Sequence, residues 1–224
     1  MTPARVPLPR PRPAVALARF AIAALIFALL AADLRLQGPI TSADAAVSLW
    51  LHQQNHPALT AFMVGVSRLH GTLAILGMVA IAAAFLARMQ LYEWLLPLLL
   101  SVPGGMLLNE AIKHWFQRAR PVFEGRLVDL ASFSFPSGHA AGATVWWGFV
   151  LILWLAWRKE PLDRSAGCVL ATGMVLLVAV SRVYLGAHHG SDVLAAIAEG
   201  CAWLALCFGV ASQGRIRFHR RIRP

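Results

Sequence analysis

Three short segments of this 224-residue chain carry polar residues whose types and spacing suit the handling of a phosphate. The first runs from Lys113 to Arg120 and Pro121. The second is Pro136-Ser137-Gly138-His139. The third is Ser181-Arg182, then His188, then Asp192. Lys113 and Arg120 lie seven positions apart, two helical turns if one helix continues, so they can share a face until Pro121 ends it. With Arg182 they supply three fixed cations for non-bridging phosphate oxygens. Pro136-Ser137-Gly138 opens a helix, where free backbone N–H groups and the helix dipole favour an anion. Gly138 permits close backbone approach, Ser137 adds a hydroxyl, and His139 stands at the rim. His188 and Asp192 are four apart, so the carboxylate can accept from one imidazole nitrogen and leave the other free and basic. Such a histidine can attack phosphorus and carry the phosphoryl group, while a second histidine protonates the departing oxygen. The cations and the helix N-terminus would stabilise the charge on the transferring group. No cluster of Asp and Glu accompanies these residues, so neither a metal nor any other cofactor is expected.

The segments need elements that carry them to one place, and the composition says what those are. Hydrophobic residues make up 58% of the chain and charged residues 13%, and the mean hydropathy is +0.64. A soluble domain would carry about 25% charged residues, so this is a membrane protein. Six apolar runs approach the roughly 20 residues a span requires: about 14–32, 69–87, 94–112, 139–157, 165–185 and 193–210. The expected fold is all-α, a polytopic bundle of six transmembrane helices. The expected organisation is a disordered basic tail over 1–13, a six-span domain over 14–212 and a basic tail over 213–224. The first run is taken as a retained span and not a cleaved signal, because an even number of spans puts both basic tails on one side. Most of the 20 Lys and Arg residues lie in the tails or near Arg88, Arg158, Lys159 and Arg164, which places both termini in the cytoplasm. All three polar segments then face the opposite side. Between the first two spans, Val47, Trp50 and Leu51, and then Leu59, Phe62, Met63, Val66 and Leu69, recur at helical spacing. They predict short amphipathic helices in the outer interface, serving as a packing cap or, less simply, as a lid for lipid.

The three segments resemble the signature of the type 2 phosphatidic acid phosphatase superfamily, which also includes vanadium haloperoxidases and glucose 6-phosphatase. That signature is Lys-x6-Arg-Pro, Pro-Ser-Gly-His and Ser-Arg-x5-His-x3-Asp. The chain matches every named position in order, over about half its length, from Lys113 to Asp192. The resemblance implies His188 as nucleophile, Asp192 as its orienting partner and His139 as general acid. It implies Lys113, Arg120, Ser137, Gly138 and Arg182 as phosphate-binding residues. Many membrane relatives place an aromatic residue and a proline after the nucleophile, where this chain has His189-Gly190. Spacing to Arg182 and Asp192 favours His188 over its neighbour.

The implied function is hydrolysis of a lipid phosphate or diphosphate through a phosphohistidine. The substrate classes are undecaprenyl diphosphate, phosphatidylglycerol phosphate, phosphatidic acid and lipid A phosphate. Phosphotransfer by the same histidine is the alternative, followed by a transporter or scaffold. The expected partners are a lipid phosphate and the bilayer, in a bacterial inner membrane. No nucleic acid is expected, because no binding module accompanies the basic tails. The oligomeric state is open. Cys168, Cys201 and Cys207 lie in apolar stretches and suit burial better than a disulfide framework or a zinc site. His52, His56, His70, His114, His189 and His219 read as packing or surface residues, and Arg118 and Arg126 as solvated or headgroup-facing. Glu199, two turns beyond Asp192, is either a protonated acid bonded between helices or a substrate contact.

Overall fold

Proline opens many of the helices. In a computed structural model of the chain, α1 (Pro13–Arg35), α2 (Pro39–Gln53), α3 (Pro57–Leu69) and α7 (Pro161–Tyr184) each begin with one, where its missing N–H costs nothing. The remaining elements are α4 (Thr72–Arg88), a 3-10 turn (Tyr92–Trp94), α5 (Leu95–Phe116), α6 (Gly138–Trp157) and α8 (Gly190–Ile222). The structure describes residues 6–9, 12–54, 56–122 and 132–222, with side chains up to 209. Among the described residues every regular element is helical.

Five helices are long and apolar enough to cross a bilayer; α3 and α4, bent by 53° at their junction, reach that length only together, and with them the count is up to six. At 1.5 Å per residue the 22 residues of α5 reach about 33 Å, one hydrocarbon core. The apolar run over 69–87 is one helix from Thr72 onward. Leu69 ends α3, and α4 starts at Thr72 after His70 and Gly71. The buried His70 ring donates from Nδ1 to the Val66 carbonyl at 2.9 Å, fixing the chain where it turns. α7 and α8 start earlier than hydropathy predicts, at Pro161 and Gly190 instead of 165 and 193, because polar first turns carry no apolar signal.

α6 is the central helix, in contact with α4, α5, α7 and α8. It approaches α8 closely because residue 200 is glycine: a Cβ there would sit 2.7 Å from Thr144 Cγ2. One end of the bundle is filled by Trp94, Leu98, Phe149 and Phe208. Val6 joins them, buried, with its carbonyl accepting from Trp94 Nε1 at 2.8 Å. That part of the segment read as a disordered tail is therefore packed. Much of the lateral surface is apolar, with Leu73, Ile81, Leu107 and Val169 exposed, as lipid contact requires. The chain is an integral membrane protein.

The expected helices between the first two spans are present as α2 and α3. Asp33 receives α2 in trans, accepting from the Thr41 N–H at 2.7 Å and the Thr41 hydroxyl at 2.8 Å. α3 buries Met63 and Val66, as its periodicity predicts. α2 is turned the other way. Its buried residues are Asp44, Ser48 and His52, while Val47 and Trp50 are 54% and 62% exposed. An interfacial helix can present apolar residues to lipid and reserve its polar side for a polar protein interior.

Candidate active site

The turn after α7 carries the central histidine. Gly186 adopts φ 69°, and the N–H groups of Ala187 and His188 return to the Arg182 carbonyl at 3.0 and 3.3 Å. This closure holds Arg182 and His188 as one unit. His188 is 1% exposed. Its Nδ1 donates to the Ser134 carbonyl at 2.8 Å, and its Nε2 lies 3.1 Å from Arg120 Nη1, whose N–H it accepts. The tautomer is thereby set, with the lone pair on Nε2. Burial pushes the His188 pKa from 6.5 down to about 3; Asp192 pulls it upward, and Arg120 and Arg182 add to the fall. His189 is also lowered, chiefly by burial.

Asp192 stands beside the histidine, with Oδ2 3.6 Å from His188 Nδ1. That is ion-pair distance, so the direct hydrogen bond expected from the spacing goes instead to the Ser134 carbonyl. The carboxylate is fully buried and amply partnered. Oδ2 accepts from Ser134 Oγ at 2.5 Å and from the His189 N–H at 2.9 Å, and Oδ1 accepts from Arg118 at 2.6 Å. Its backbone carbonyl accepts from Ser137 N at 3.1 Å, tying α8 to the start of α6.

Ser137 is the N-cap of α6, facing the Ala140 N–H at 3.5 Å. Gly138 follows in the first turn. A Cβ there would lie 3.4 Å from Lys113 Nζ and 3.4 Å from Asn109 Oδ1, so the missing side chain lets α5 bring its cation against the helix N-terminus. α5 stops sooner than Pro121 would dictate. Gln117 takes a left-handed conformation, φ 50°, and closes the helix at Phe116. Arg120 therefore reaches the site from the segment after α5, not from the helical face of Lys113. Three carbonyls hold it there, those of Ser132, Phe133 and Ala187, at 2.6, 3.2 and 2.7 Å.

Arg182 is 1% exposed. Nη1 donates to Ser67 Oγ on α3, while Nε and Nη2 have no hydrogen-bond partner among the described residues. Buried guanidinium N–H groups without partners are costly and uncommon, and they are oriented donors for an anion. Lys113, Arg120, Gly138, His139 and His188 all line one cavity of about 550 Å³. Thr72, Ile75 and Leu76 of α4, with Met106 and Leu107 of α5, complete it, so a polar end adjoins an apolar one. A larger, apolar groove of about 850 Å³ lies among α1, α6 and α8 and includes none of these groups.

The segments singled out in the sequence thus meet at one end of the bundle, while Arg126 lies outside the described residues. Glu199 Oε2 accepts from Asn109 Nδ2 at 2.8 Å, a bond between α5 and α8. Other participants were given a different place by the sequence reading or none. Arg118 is a half-buried ion-pair partner of Asp192 and Asp44, not a solvated residue. Ser134 and Ser67 hold His188, Asp192 and Arg182, and His70 lines the cavity with Nε2 accepting from Trp147 Nε1 at 3.1 Å. Arg118 had one signal, a second arginine beside Arg120 on the side where basic residues are scarce.

Comparison with known proteins gives concordant matches. The family model described as PAP2 superfamily matches residues 94–215. Phosphatidylglycerophosphatase B of Bacillus subtilis (strain 168) is 33% identical over 181 residues, covering 79% of this chain and 86% of the relative. A probable lipid phosphate phosphatase beta of Arabidopsis thaliana is 32% identical over 108 residues, 46% of this chain and 50% of the relative. Among solved structures, a transmembrane PAP2-type phosphatidylglycerolphosphate phosphatase from Bacillus subtilis superposes with a TM-score of 0.77. It is 30% identical and covers 92% of this chain and 99% of its own. Aquifex aeolicus LpxE shares the fold, with a TM-score of 0.56, 21% identity and coverage of 76% and 94%.

Proposed function

The chain belongs to the PAP2 superfamily and is a membrane phosphatase, and from that premise we propose that it hydrolyses a glycerolipid phosphate, phosphatidylglycerol phosphate foremost, through a phosphohistidine on His188. The observation that carries this reading is the His188 ring. Nδ1–H is committed to the Ser134 carbonyl, which leaves the lone pair on Nε2, where Arg120 donates to it in a cavity that Lys113 also lines. Its lowered pKa keeps the imidazole unprotonated at neutral pH, as a nucleophile must be.

In the first step Nε2 attacks phosphorus and the phosphorus–oxygen bond to the lipid breaks. His139, lining the same cavity, gives its proton to the departing lipid oxygen. Lys113, Arg120, Arg182 and the α6 N-terminus at Ser137 and Gly138 hold the three remaining oxygens, and Asp192 offsets the positive charge on the ring. In the second step water attacks the phosphohistidine, His139 takes its proton, and phosphate leaves. The apolar walls contributed by α4 and α5 suit the glycerol and upper acyl carbons of a lipid whose headgroup fills the polar end. Phosphatidylglycerol phosphate is preferred because relatives bearing that activity in their names cover most of the chain. The basic ends support a reading with both termini in the cytoplasm and the site at the outer leaflet of a bacterial inner membrane.

A panel of phosphatidylglycerol phosphate, phosphatidic acid and undecaprenyl diphosphate, assayed in detergent with a chelator present, tests the proposal. Phosphate release fastest from the first, inhibition by vanadate and no turnover by His188→Ala are expected. Release from none of the three, or undiminished release by His188→Ala, overturns it.

A further inference from the structure

The inward polar face of α2 has a use that capping the bundle does not explain. A carboxylate removed from water persists only where charges and hydrogen bonds replace its hydration. Asp44 has both. Oδ1 accepts the Ser191 N–H at 2.9 Å; Oδ2 accepts from the Ser191 hydroxyl and from Arg118 Nη2 at 3.1 Å. Arg118 Nη1 donates to Asp192 Oδ1 at 2.6 Å and to Ser191 Oγ at 2.7 Å. One guanidinium therefore bridges two buried carboxylates, and the second of them stands beside His188. Neither Asp44 nor Arg118 lines the cavity, and of the groups they bond it is Asp192 that stands beside His188.

The charges decide what that is. Asp44, Arg118 and Asp192 together carry one net negative charge. A guanidinium shared between two carboxylates neutralises each only in part. Asp192 can then support the positive ring that forms when Nε2 takes a phosphoryl group. If Arg118 belonged to Asp192 alone, that support would be cancelled. If Arg118 were absent, two buried carboxylates would face each other uncompensated.

We propose that Asp44 and Arg118 are positioning residues of the hydrolysis, with Asp44 drawing part of the Arg118 charge away from Asp192 so that Asp192 stays negative toward His188. The proposal rests on His188 being the nucleophile. Through it an interfacial helix far from the sequence motifs becomes part of the catalytic apparatus.

The test is a set of variants assayed in mixed micelles of detergent and phosphatidic acid. Asp44→Asn keeps the shape and the acceptor for the Ser191 N–H but removes the charge. It is expected to lower kcat about tenfold or more with KM changed less than about threefold. Adding Arg118→Gln restores the single net negative charge, and the double variant is expected to recover several-fold over Asp44→Asn alone. A residue that merely holds the fold gives the opposite ordering, with the double variant worse than either single one. Wild-type kcat in Asp44→Asn, or a double variant no more active than Asp44→Asn, overturns the proposal. If Asp44→Asn does not fold, a double variant that folds and turns over sustains the charge balance, and one that also fails to fold overturns it. His188→Ala in the same assay separates the two readings. Turnover by that variant removes the nucleophile assignment itself, whereas an inactive His188→Ala beside an unimpaired Asp44→Asn removes only the role of Asp44.

Discussion

His188 is held at both ring nitrogens, and the consequences reach stability as well as turnover. Its pKa in the folded chain lies near 3, below the ordinary 6.5, because burial disfavours the imidazolium. An unfolded chain binds a proton at this residue below pH 6.5 that the folded chain refuses. The contribution of His188 to stability is therefore complete above pH 6.5 and lost progressively as pH falls toward 3. A thermal denaturation series in detergent is expected to show Tm falling over that window, less steeply in His188→Asn. Identical slopes in the two proteins would contradict the burial argument. His189 differs from its neighbour. Its Nδ1 lacks a hydrogen-bond partner among the described residues, and its backbone N–H serves Asp192. His189→Ala keeps that N–H and is expected to retain much of the wild-type kcat; a loss as complete as that of His188→Ala would transfer the nucleophile to position 189. The motif residues were legible because each motif is local in sequence. Arg118 and Asp44 were not, because Arg118 pairs with carboxylates 74 positions away in either direction. No local pattern announces such a pair.

At the scale of elements, hydropathy located the spans and misplaced their ends, since a helix start is written in prolines and polar first turns. The junction of α3 and α4 falls at Leu69, where the predicted interfacial helix ends and the predicted second span begins, with His70 fixing the bend. The inward face of α2 was hidden because periodicity marks two faces and does not say which one meets the protein. Local backbone geometry also places the site. Gln117 is left-handed at φ 50°, and this turn releases Arg118 and Arg120 from the axis of α5 toward α8. A non-glycine residue pays about 1 kcal/mol for that conformation. Gln117→Gly is therefore expected to raise Tm by a few degrees with activity unchanged. A fall in Tm would mean that the Gln117 side chain contributes more than its backbone costs.

The whole molecule is a bundle with an apolar perimeter and a polar cup at one end, and the proposed orientation rests on where its charges lie. Single cysteines placed at Gln37 and Glu160, in a background lacking Cys168, Cys201 and Cys207, report the two faces. In intact cells an impermeant maleimide is expected to label position 37 but not 160; the reverse labelling would turn the site toward the cytoplasm. The six-span plan and the facing of the three motifs were legible together, since a motif at every second helix end must gather on one side. What brings the cup to a reactive geometry is long-range and was not legible: the Ser134 carbonyl on His188, Ser67 on Arg182, and Asn109 against Gly138. In the proposed mechanism all of it serves a single imidazole aimed at phosphorus. Acid-labile phosphate on that ring is the direct evidence, sought by incubating the protein with phosphatidylglycerol phosphate labelled in its terminal phosphate, quenching in alkali and mapping the labelled peptide. Label on His188 that decays on a chase with unlabelled lipid is the expected result; label on His189, or none while phosphate is being released, contradicts it.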